Sequence, residues 1–118
     1  MFINLSNHPS DNWSEEQLKA ASIYGEIVDV PFPQIEPEAT EEDIVNLSME
    51  YMARIDAISN AQPVAVHLMG EMTFTYSMVR LLKSKGITCL ASTTRREVED
   101  LDDGKRITTF RFVKFRQY

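Results

Sequence analysis

Apolar and polar positions follow two spacings in turn along the chain, and the spacings predict alternating strands and helices. Short runs rich in apolar and β-branched residues are typical of strands, whereas apolar residues three or four positions apart indicate amphipathic helices. The predicted strands are residues 2–6, 26–30, 63–69, 87–96 and 106–118. The predicted helices are residues 13–24, 40–60 and 71–85.

The helix boundaries carry their own sequence signals. Ser14 is followed three residues later by Gln17, and Thr40 by Asp43, which is the spacing of a capping box at a helix start. In the third helix we expect Tyr76, Val79 and Leu82, together with Met72, to form the apolar face, with Met78 and Leu81 beside it.

An Asp-Gly pair at residues 103–104 predicts a two-residue hairpin turn between the last two strands. Opposed residues would then have numbers that sum to 207. The predicted pairs are Glu97 with Phe110, Arg95 with Phe112 and Thr93 with Lys114.

The order β-α-β-α-β-α-β-β predicts one α/β domain over residues 1–118. Alternating strands and helices favour a mostly parallel sheet between two helical layers, and the last strand returns as a C-terminal antiparallel hairpin. The expected class is a three-layer Rossmann-like or flavodoxin-like fold. Ligands of such folds bind beyond the carboxyl ends of the strands.

Hydrogen-bond donors are concentrated in the segments expected at those carboxyl ends. Gly70 would let a ligand approach a helix N-terminus, where free N–H groups favour an anion, although Glu71 beside it opposes one. We therefore predict a pocket for a phosphate or a nucleotide. Its candidate ligand-binding residues are Ser6, Asn7, Ser10, Gly70, Thr73, Ser92, Thr93, Thr94 and Arg95, with His8 as the candidate catalytic residue. Strand propensity for the Ser-Thr-Thr run, and turn chemistry for residues 7–10, are the structural alternatives.

Charge is divided between the two halves of the chain. The formal net charge is −6; residues 1–60 carry twelve acids and two bases, whereas residues 61–118 carry six acids and ten bases. This acidity argues against non-specific coating of nucleic acid, which needs a broad basic face. It leaves room for a small anion beside the basic hairpin, unless Glu97, Glu99 and Asp100 neutralise the hairpin bases.

Several classes of protein are not expected. The chain shows no signal peptide and no apolar stretch long enough to span a membrane. A single cysteine, Cys89, favours a reducing, cytoplasmic setting. The glycine-rich dinucleotide and phosphate-loop motifs are absent, and two histidines with one cysteine do not make a zinc set. We therefore expect no metal and no cofactor.

The layout resembles that of small CRISPR-associated Rossmann-fold proteins. The resemblance is carried by Asn-Leu-Ser-Asn-His-Pro at residues 4–9, by Ser-Glu-Glu-Gln at residues 14–17, by the strand at residues 64–70 and by the closing hairpin. The similar family comprises CARF-like sensors of antiviral defence and the ring nucleases related to them.

The resemblance implies binding of a cyclic oligoadenylate in a cleft across the two-fold axis of a homodimer. Some members of the family cleave the ring without metal, through attack of a ribose 2′-OH on the neighbouring phosphate. Ser6, Asn7 and His8 match the ligand-contacting loop after the first strand. The glycine-containing loop matches residues 70–73, and residues 93–95 match the donors of the fourth strand by location only.

Two other functions stay open at this point. The chain could be a non-enzymatic interaction module whose hairpin docks a partner by strand pairing. It could also be an enzyme that acts on a different phosphorylated small molecule in the same cleft. A histidine such as His8 is suited to proton transfer near neutral pH in either enzymatic case.

Overall fold

The computed structural model describes all residues from Met1 to Tyr118, and it contains the predicted elements in the predicted order. The strands are β1 (Phe2–Ser6), β2 (Ile27–Pro31), β3 (Ala65–Met69), β4 (Thr88–Asp100) and β5 (Arg106–Gln117). The helices are α1 (Glu15–Ser22), α2 (Glu41–Ser59) and α3 (Met72–Ser84), with a short 3₁₀ turn at Ser10–Asn12. Both predicted N-caps are confirmed, because Ser14 accepts from the Gln17 N–H and Thr40 forms a complete capping box with Asp43.

The strands form one sheet in the order β2-β1-β3-β4-β5. The first four are parallel and β5 runs antiparallel to β4. This topology confirms the predicted Rossmann-like α/β class. None of the helices is both long and apolar enough to cross a membrane.

Two apolar clusters lie on opposite faces of the sheet and create three layers. Successive side chains of a strand point to opposite faces, so Phe2 joins one cluster and Ile3 the other. The smaller cluster contains Ala21 of α1, and the larger one contains Ile55 of α2 and Met78 of α3. One helix therefore covers one face and two helices cover the other.

The face that α3 turns towards the core agrees with the prediction at Leu82 and differs from it at Met72 and Tyr76. Phe74, Met78 and Leu82 are fully buried, whereas Met72 and Tyr76 are 82% and 65% exposed. The helix carries apolar residues on two sides, so its spacing alone supports either stripe. The sheet buries Phe74, Met78 and Leu82, and the side of the helix that carries Met72 and Tyr76 stays at the surface.

The register of the hairpin is confirmed at its base and wrong further out. Thr93 pairs with Lys114 as predicted, and an irregularity follows between Thr93 and Thr94. Beyond it, the partners of residues 95 and 97 are shifted by one. The pairs there are Arg95 with Arg111, Arg96 with Phe110 and Glu97 with Thr109.

The turn explains this shift. The Leu101 N–H donates to the Lys105 carbonyl, and the Gly104 N–H donates to the Leu101 carbonyl. The loop therefore has three residues, with Gly104 at φ +82° in the left-handed position that such loops require. One extra loop residue moves the outer pairing by one, and the irregularity at Thr93 restores the predicted register.

The outer part of this hairpin projects from the domain as a two-stranded ribbon. β3 pairs with β4 only as far as Leu90, so residues 94–100 of β4 have β5 as their only neighbouring strand. The radius of gyration is 16.1 Å, whereas a compact chain of this length has a radius of gyration of about 13.5 Å. The ribbon therefore extends well beyond the packed core.

Candidate functional site

The predicted ligand-binding segments meet at one edge of the sheet. Ser6 and Met69, the last residues of β1 and β3, are paired with each other. Ser92 of β4 reaches the same place, because its hydroxyl donates to the Met69 sulfur over 2.8 Å. The loops after β1 and β3 and the middle of β4 therefore share the carboxyl edge, as the fold class requires.

Asn4, in the middle of β1, organises this edge through a buried hydrogen-bond network. Its Nδ2 donates to the His8 carbonyl over 2.9 Å and to Asp29 Oδ1 over 2.8 Å. Its Oδ1 accepts from the Ser6 hydroxyl over 2.8 Å and lies 2.9 Å from His67 Nδ1. Because the amide nitrogen serves two acceptors, Oδ1 must be the acceptor that faces His67. The His67 ring therefore carries its proton on Nδ1.

His8 is held by its main chain while its ring stays free. The His8 carbonyl accepts from Asn4 Nδ2 and from Trp13 Nε1, which lies 3.0 Å away. The His8 N–H donates to the Ser6 hydroxyl over 3.2 Å. The imidazole is exposed at the carboxyl edge. The fold thus fixes the position of this residue without occupying its ring nitrogens.

His67 lies directly beneath this loop and is almost completely buried. Its ring lies among Phe2, Trp13 and Phe115, with ring centroids 5.3–6.2 Å apart. Its Nε2 has no hydrogen-bond partner. Burial, and then the nearby charge of His8, lower the pKa of His67 from 6.5 to about 4. His67 is therefore neutral at physiological pH and forms part of the core.

Ser6 and Ser10 already have partners within the protein. Ser6 is buried and its hydroxyl belongs to the Asn4 network. The Ser10 hydroxyl donates to Asp29 Oδ2 over 2.9 Å, and its N–H donates to the same carboxylate. These two serines tie the His8 loop to β1 and β2, whereas the Asn7 side chain is exposed beside His8.

The N-terminus of α3 is capped by a side chain of the protein itself. The Glu71 carboxylate accepts from the N–H groups of Thr73 and Phe74 and from the Thr73 hydroxyl. These hydrogen bonds, led by the one from the Phe74 N–H, lower the pKa of Glu71. A ligand anion at Thr73 would therefore have to displace the Glu71 carboxylate.

Gly70 has a packing reason to be glycine. A Cβ at this position would lie 2.3 Å from two carbons of the Phe32 ring. That ring is in turn packed edge-on against Phe74, with centroids 5.3 Å apart. Close approach of Phe32 is therefore sufficient to explain the glycine.

Gly70→Ala is expected to lower the free energy of unfolding by about 2 kcal/mol, because the added methyl overpacks the contact with Phe32. Chemical denaturation measures the change. Phe32→Leu combined with Gly70→Ala should cost less than the two single changes added together, because the smaller side chain relieves the clash. Strict additivity of the two changes would contradict this explanation.

The β4 residues of the predicted site differ in whether their side chains already have a partner within the protein. The Thr93 hydroxyl donates to the Lys114 carbonyl over 3.0 Å and accepts from the Lys114 N–H over 3.2 Å, so it is engaged at the base of the ribbon. Thr94 and Arg95 are exposed, and Arg95 takes part in no ion pair. Arg95 is thus available to an anion from solution.

The hairpin acids neutralise only part of the basic charge. Arg106 pairs with Asp100 at 2.8 Å, and Arg111 pairs with Glu97 at 3.6 Å and with Glu16 at 3.8 Å. Four hairpin bases have no such partner. They are Arg95, Arg96, Lys114 and Arg116.

Sequence reasoning missed the residues that build the His8 anchor. Asn4, Asp29 and Trp13 supply or accept its key hydrogen bonds and were not among the predicted site residues. A polar residue in the middle of an apolar strand was the available signal for Asn4, since buried polar groups need partners. No local sequence signal identifies Asp29, because its strand β2 becomes the neighbour of β1, and thus of Asn4, only in the folded sheet.

The carboxyl edge contains neither a cluster of metal ligands nor a reactive thiol. No three His, Cys, Asp or Glu side chains are arranged to hold a metal ion. Cys89 is buried, and burial raises its pKa to about 12, so it remains a neutral thiol.

The fold and its carboxyl edge define a small Rossmann-like α/β protein with an anchored histidine loop and an unpaired arginine on β4. The family model described as "Uncharacterized protein MJ1673 family" matches residues 1–116, so the chain belongs to that family. No curated protein matches the chain, and no solved structure matches it.

Proposed function

We propose that this protein is a CARF-like sensor that binds a cyclic oligoadenylate, or a similar nucleotide second messenger, at the carboxyl edge of its sheet. The proposal includes a CRISPR-associated role in antiviral defence, a cytoplasmic location and a homodimer cleft, as the resemblance of residues 4–9 and 14–17 implies. The observation that carries it is the anchored loop, which presents the free His8 ring at the edge where Rossmann-like folds bind ligands.

The same edge supplies groups that suit a phosphodiester. Arg95 is exposed and unpaired, and a guanidinium binds phosphate oxygens through paired hydrogen bonds. The exposed Asn7 amide and Thr94 hydroxyl are further donors in the segments that follow β1 and lie in β4. In the proposal these groups hold the phosphate near His8, because Glu71 occupies the α3 N-terminus.

Cleavage of the ring would need little more than positioning and proton transfer. The ribose 2′-oxygen attacks the adjacent phosphorus, the bond to the 5′-oxygen breaks, and a 2′,3′-cyclic phosphate and a 5′-hydroxyl result. In the proposed mechanism His8 accepts the 2′-OH proton or donates a proton to the leaving 5′-oxygen. Such general acid–base assistance contributes roughly 10²–10⁴-fold to a rate.

Thermal denaturation with cyclic tetra-adenylate and cyclic hexa-adenylate tests binding, and chromatography of the nucleotides tests cleavage. At least one ring should raise the melting temperature of the wild type. Arg95→Ala should weaken binding roughly tenfold or more, whereas His8→Ala should retain binding and slow any cleavage by about 100-fold.

Lys105→Ala is the matched control for Arg95→Ala. Lys105 is a base at the tip of the same hairpin, but it pairs with Asp103 and lies away from the carboxyl edge. Its removal should leave the affinity unchanged. Absence of stabilisation by both rings would exclude the cyclic oligoadenylate proposal.

The projecting ribbon favours a second candidate, an interaction module. Phe110 is 68% exposed, and Val98, Ile107 and Val113 are each close to half exposed. Incubation with a nucleotide panel, followed by mass spectrometry, separates the candidates. A changed nucleotide other than a cyclic oligoadenylate would identify an enzyme on another phosphorylated molecule, and no bound or changed nucleotide would favour the interaction module.

A further inference from the structure

The projecting part of β4, residues 94–100, has a free backbone edge. These residues are exposed and have β5 as their only neighbouring strand. The odd-numbered residues of β4 form the hydrogen bonds with β5. At one end the Tyr118 N–H donates to the Cys89 carbonyl, and at the other the Leu101 N–H donates to the Lys105 carbonyl. Because backbone groups alternate between the two edges of a strand, the even-numbered residues point their N–H and C=O groups outward.

No strand of the chain lies beside this edge. β3 pairs with β4 only as far as Leu90, and the N–H of Ser92 points outward to the Met69 sulfur, 3.3 Å away. A two-stranded ribbon is only marginally stable in water, and a free edge is a template for a further strand. The even-numbered residues that await one are Thr94, Arg96, Val98 and Asp100.

Charge favours the β4 edge over the β5 edge for pairing with a second copy. β5 carries four bases and no acid, so two β5 edges would repel each other. The β4 segment instead has both its bases, Arg95 and Arg96, before its three acids. An antiparallel pair of these segments therefore brings the basic half of each copy against the acidic half of the other.

The free segment also matches itself in length and register. Its midpoint is Glu97, and a two-fold axis at Glu97 pairs the whole of residues 94–100 with the same residues of a second copy. Arg95 then faces Glu99 of the second copy, and Arg96 faces Val98. In this register the even-numbered residues lie opposite one another, so their outward backbone groups can form the hydrogen bonds of a regular antiparallel ladder.

Arg95 would gain an acidic neighbour that it lacks in the monomer. Within the chain it lies opposite Arg111 of β5, and like charges directly opposite each other destabilise a sheet. Neither Arg95 nor Glu99 takes part in an ion pair. Pairing places Glu99 of the second copy on the other side of Arg95. Because a guanidinium has five N–H donors, Arg95 can contact that carboxylate and a phosphate together.

One contact in this register sets like charges against each other. Glu97 of each copy faces Glu97 of the other at the axis. Arg111 compensates for part of this repulsion, because its guanidinium lies 3.6 Å from Glu97 of the same chain, although it also contacts Glu16 at 3.8 Å. The two Arg95–Glu99 contacts flank the axis and offset the remainder.

We propose that residues 94–100 of β4 pair antiparallel with the same residues of a second copy, so that two hairpins form one four-stranded sheet in the order β5-β4-β4-β5. The additional strands give each ribbon the neighbour that it lacks in the monomer. This dimer needs no nucleotide, so it goes beyond the proposed ligand and is tested without it.

Cross-linking through Glu97→Cys tests the register. Opposed residues of a non-hydrogen-bonded pair have Cα atoms about 4.5 Å apart, which a disulfide can span. Treatment with diamide should therefore give a covalent dimer on non-reducing electrophoresis. The native Cys89 is buried and does not compete. Absence of the covalent dimer would overturn the proposal.

Glu99→Cys is the matched control for this cross-link. In the proposed register its counterpart lies four residues further along the strand, about 13 Å away, so the variant alone should stay uncross-linked. Mixed with Arg95→Cys, which faces it, Glu99→Cys should give a covalent heterodimer. The mixture shows that the control still associates. Equal cross-linking of Glu97→Cys and Glu99→Cys would contradict the register.

Sedimentation velocity of the ligand-free protein over a concentration series tests association without a cross-link. The wild type should show a monomer–dimer equilibrium. Val98→Pro should weaken the dimer at least tenfold, because proline removes an outward N–H that donates across the interface in both copies. Thr108→Pro is the matched control, since Thr108 lies opposite Val98 and points its N–H to the outer edge of β5.

Both prolines replace residues whose N–H has no partner strand within the chain, so both variants should keep the circular dichroism of the wild type. Thr108→Pro should also keep the wild-type dimer. A wild type that stays monomeric at every concentration, or equal weakening by the two prolines, would overturn the proposal. Weakening by Thr108→Pro alone would assign the contact to the β5 edge and would overturn it as well.

Discussion

Asn4→Ala is expected to lower the free energy of unfolding by about 3 kcal/mol, well beyond the cost of a lost side-chain contact. The substitution removes the acceptor of the buried His67 Nδ1–H and the donor to Asp29 Oδ1. An unsatisfied buried polar group costs about 1–3 kcal/mol, and this change creates more than one. It also removes one of the donors that fix the His8 carbonyl.

Urea denaturation followed by circular dichroism measures this loss, with Asn46→Ala as the control. Asn46 lies exposed on α2 and its side chain makes no hydrogen bond, so its removal should change the stability by less than about 0.5 kcal/mol. A similar small effect of Asn4→Ala would show that the network contributes little. If the His8 loop supports ligand binding, the nucleotide affinity of Asn4→Ala should fall as well.

Acidification is expected to destabilise the protein by about 3 kcal/mol through His67 alone. The folded protein binds this proton only near pH 4, whereas the unfolded chain binds it near pH 6.5. Between these values the unfolded state holds more protons, so stability rises with pH. The contribution of His67 is complete above pH 6.5 and is lost as the pH falls towards 4.

The groups around His67 explain why no neighbour rescues its charged form. Asn4 Oδ1 already accepts the Nδ1 proton, the other contacts are the rings of Phe2, Trp13 and Phe115, and the nearest charge that affects it is His8. A proton added at Nε2 would find no acceptor. The cationic ring therefore loses its hydration without compensation.

A pH series of denaturation curves for the wild type, His67→Gln and His8→Gln tests this expectation. The stability difference between the wild type and His67→Gln should shift by about 3 kcal/mol between pH 7 and pH 4, to the disadvantage of the wild type at low pH. His8→Gln should keep most of the wild-type slope, because the His8 ring is exposed. Parallel curves for the wild type and His67→Gln would refute the assignment.

The candidate site shows where sequence reasoning succeeds and where it ends. Ligands of such folds bind beyond the carboxyl ends of the strands, and this general rule directed attention to the His8 loop. Parallel strands with helical crossovers place the loops that follow them at one edge of the sheet. The same reasoning assigned Gly70 and Thr73 to a ligand. The structure gives Gly70 a close neighbour in Phe32 and gives Thr73 a partner in Glu71. Neither contact is visible in the spacing of residues along the chain.

Signals within a few residues of sequence determined the strands and helices of this protein. Contacts between residues far apart in the chain decided which side chains face the core and which meet at the carboxyl edge. The sequence by itself specified the order of strands and helices, the caps at Ser14 and Thr40, and the antiparallel return of the last strand, because period, capping and turn chemistry act over a few residues. The tertiary structure decided the α3 face, the hairpin register and the Asn4 network. These depend on which side chains the strand order β2-β1-β3-β4-β5 brings together, and such contacts join residues far apart in the chain.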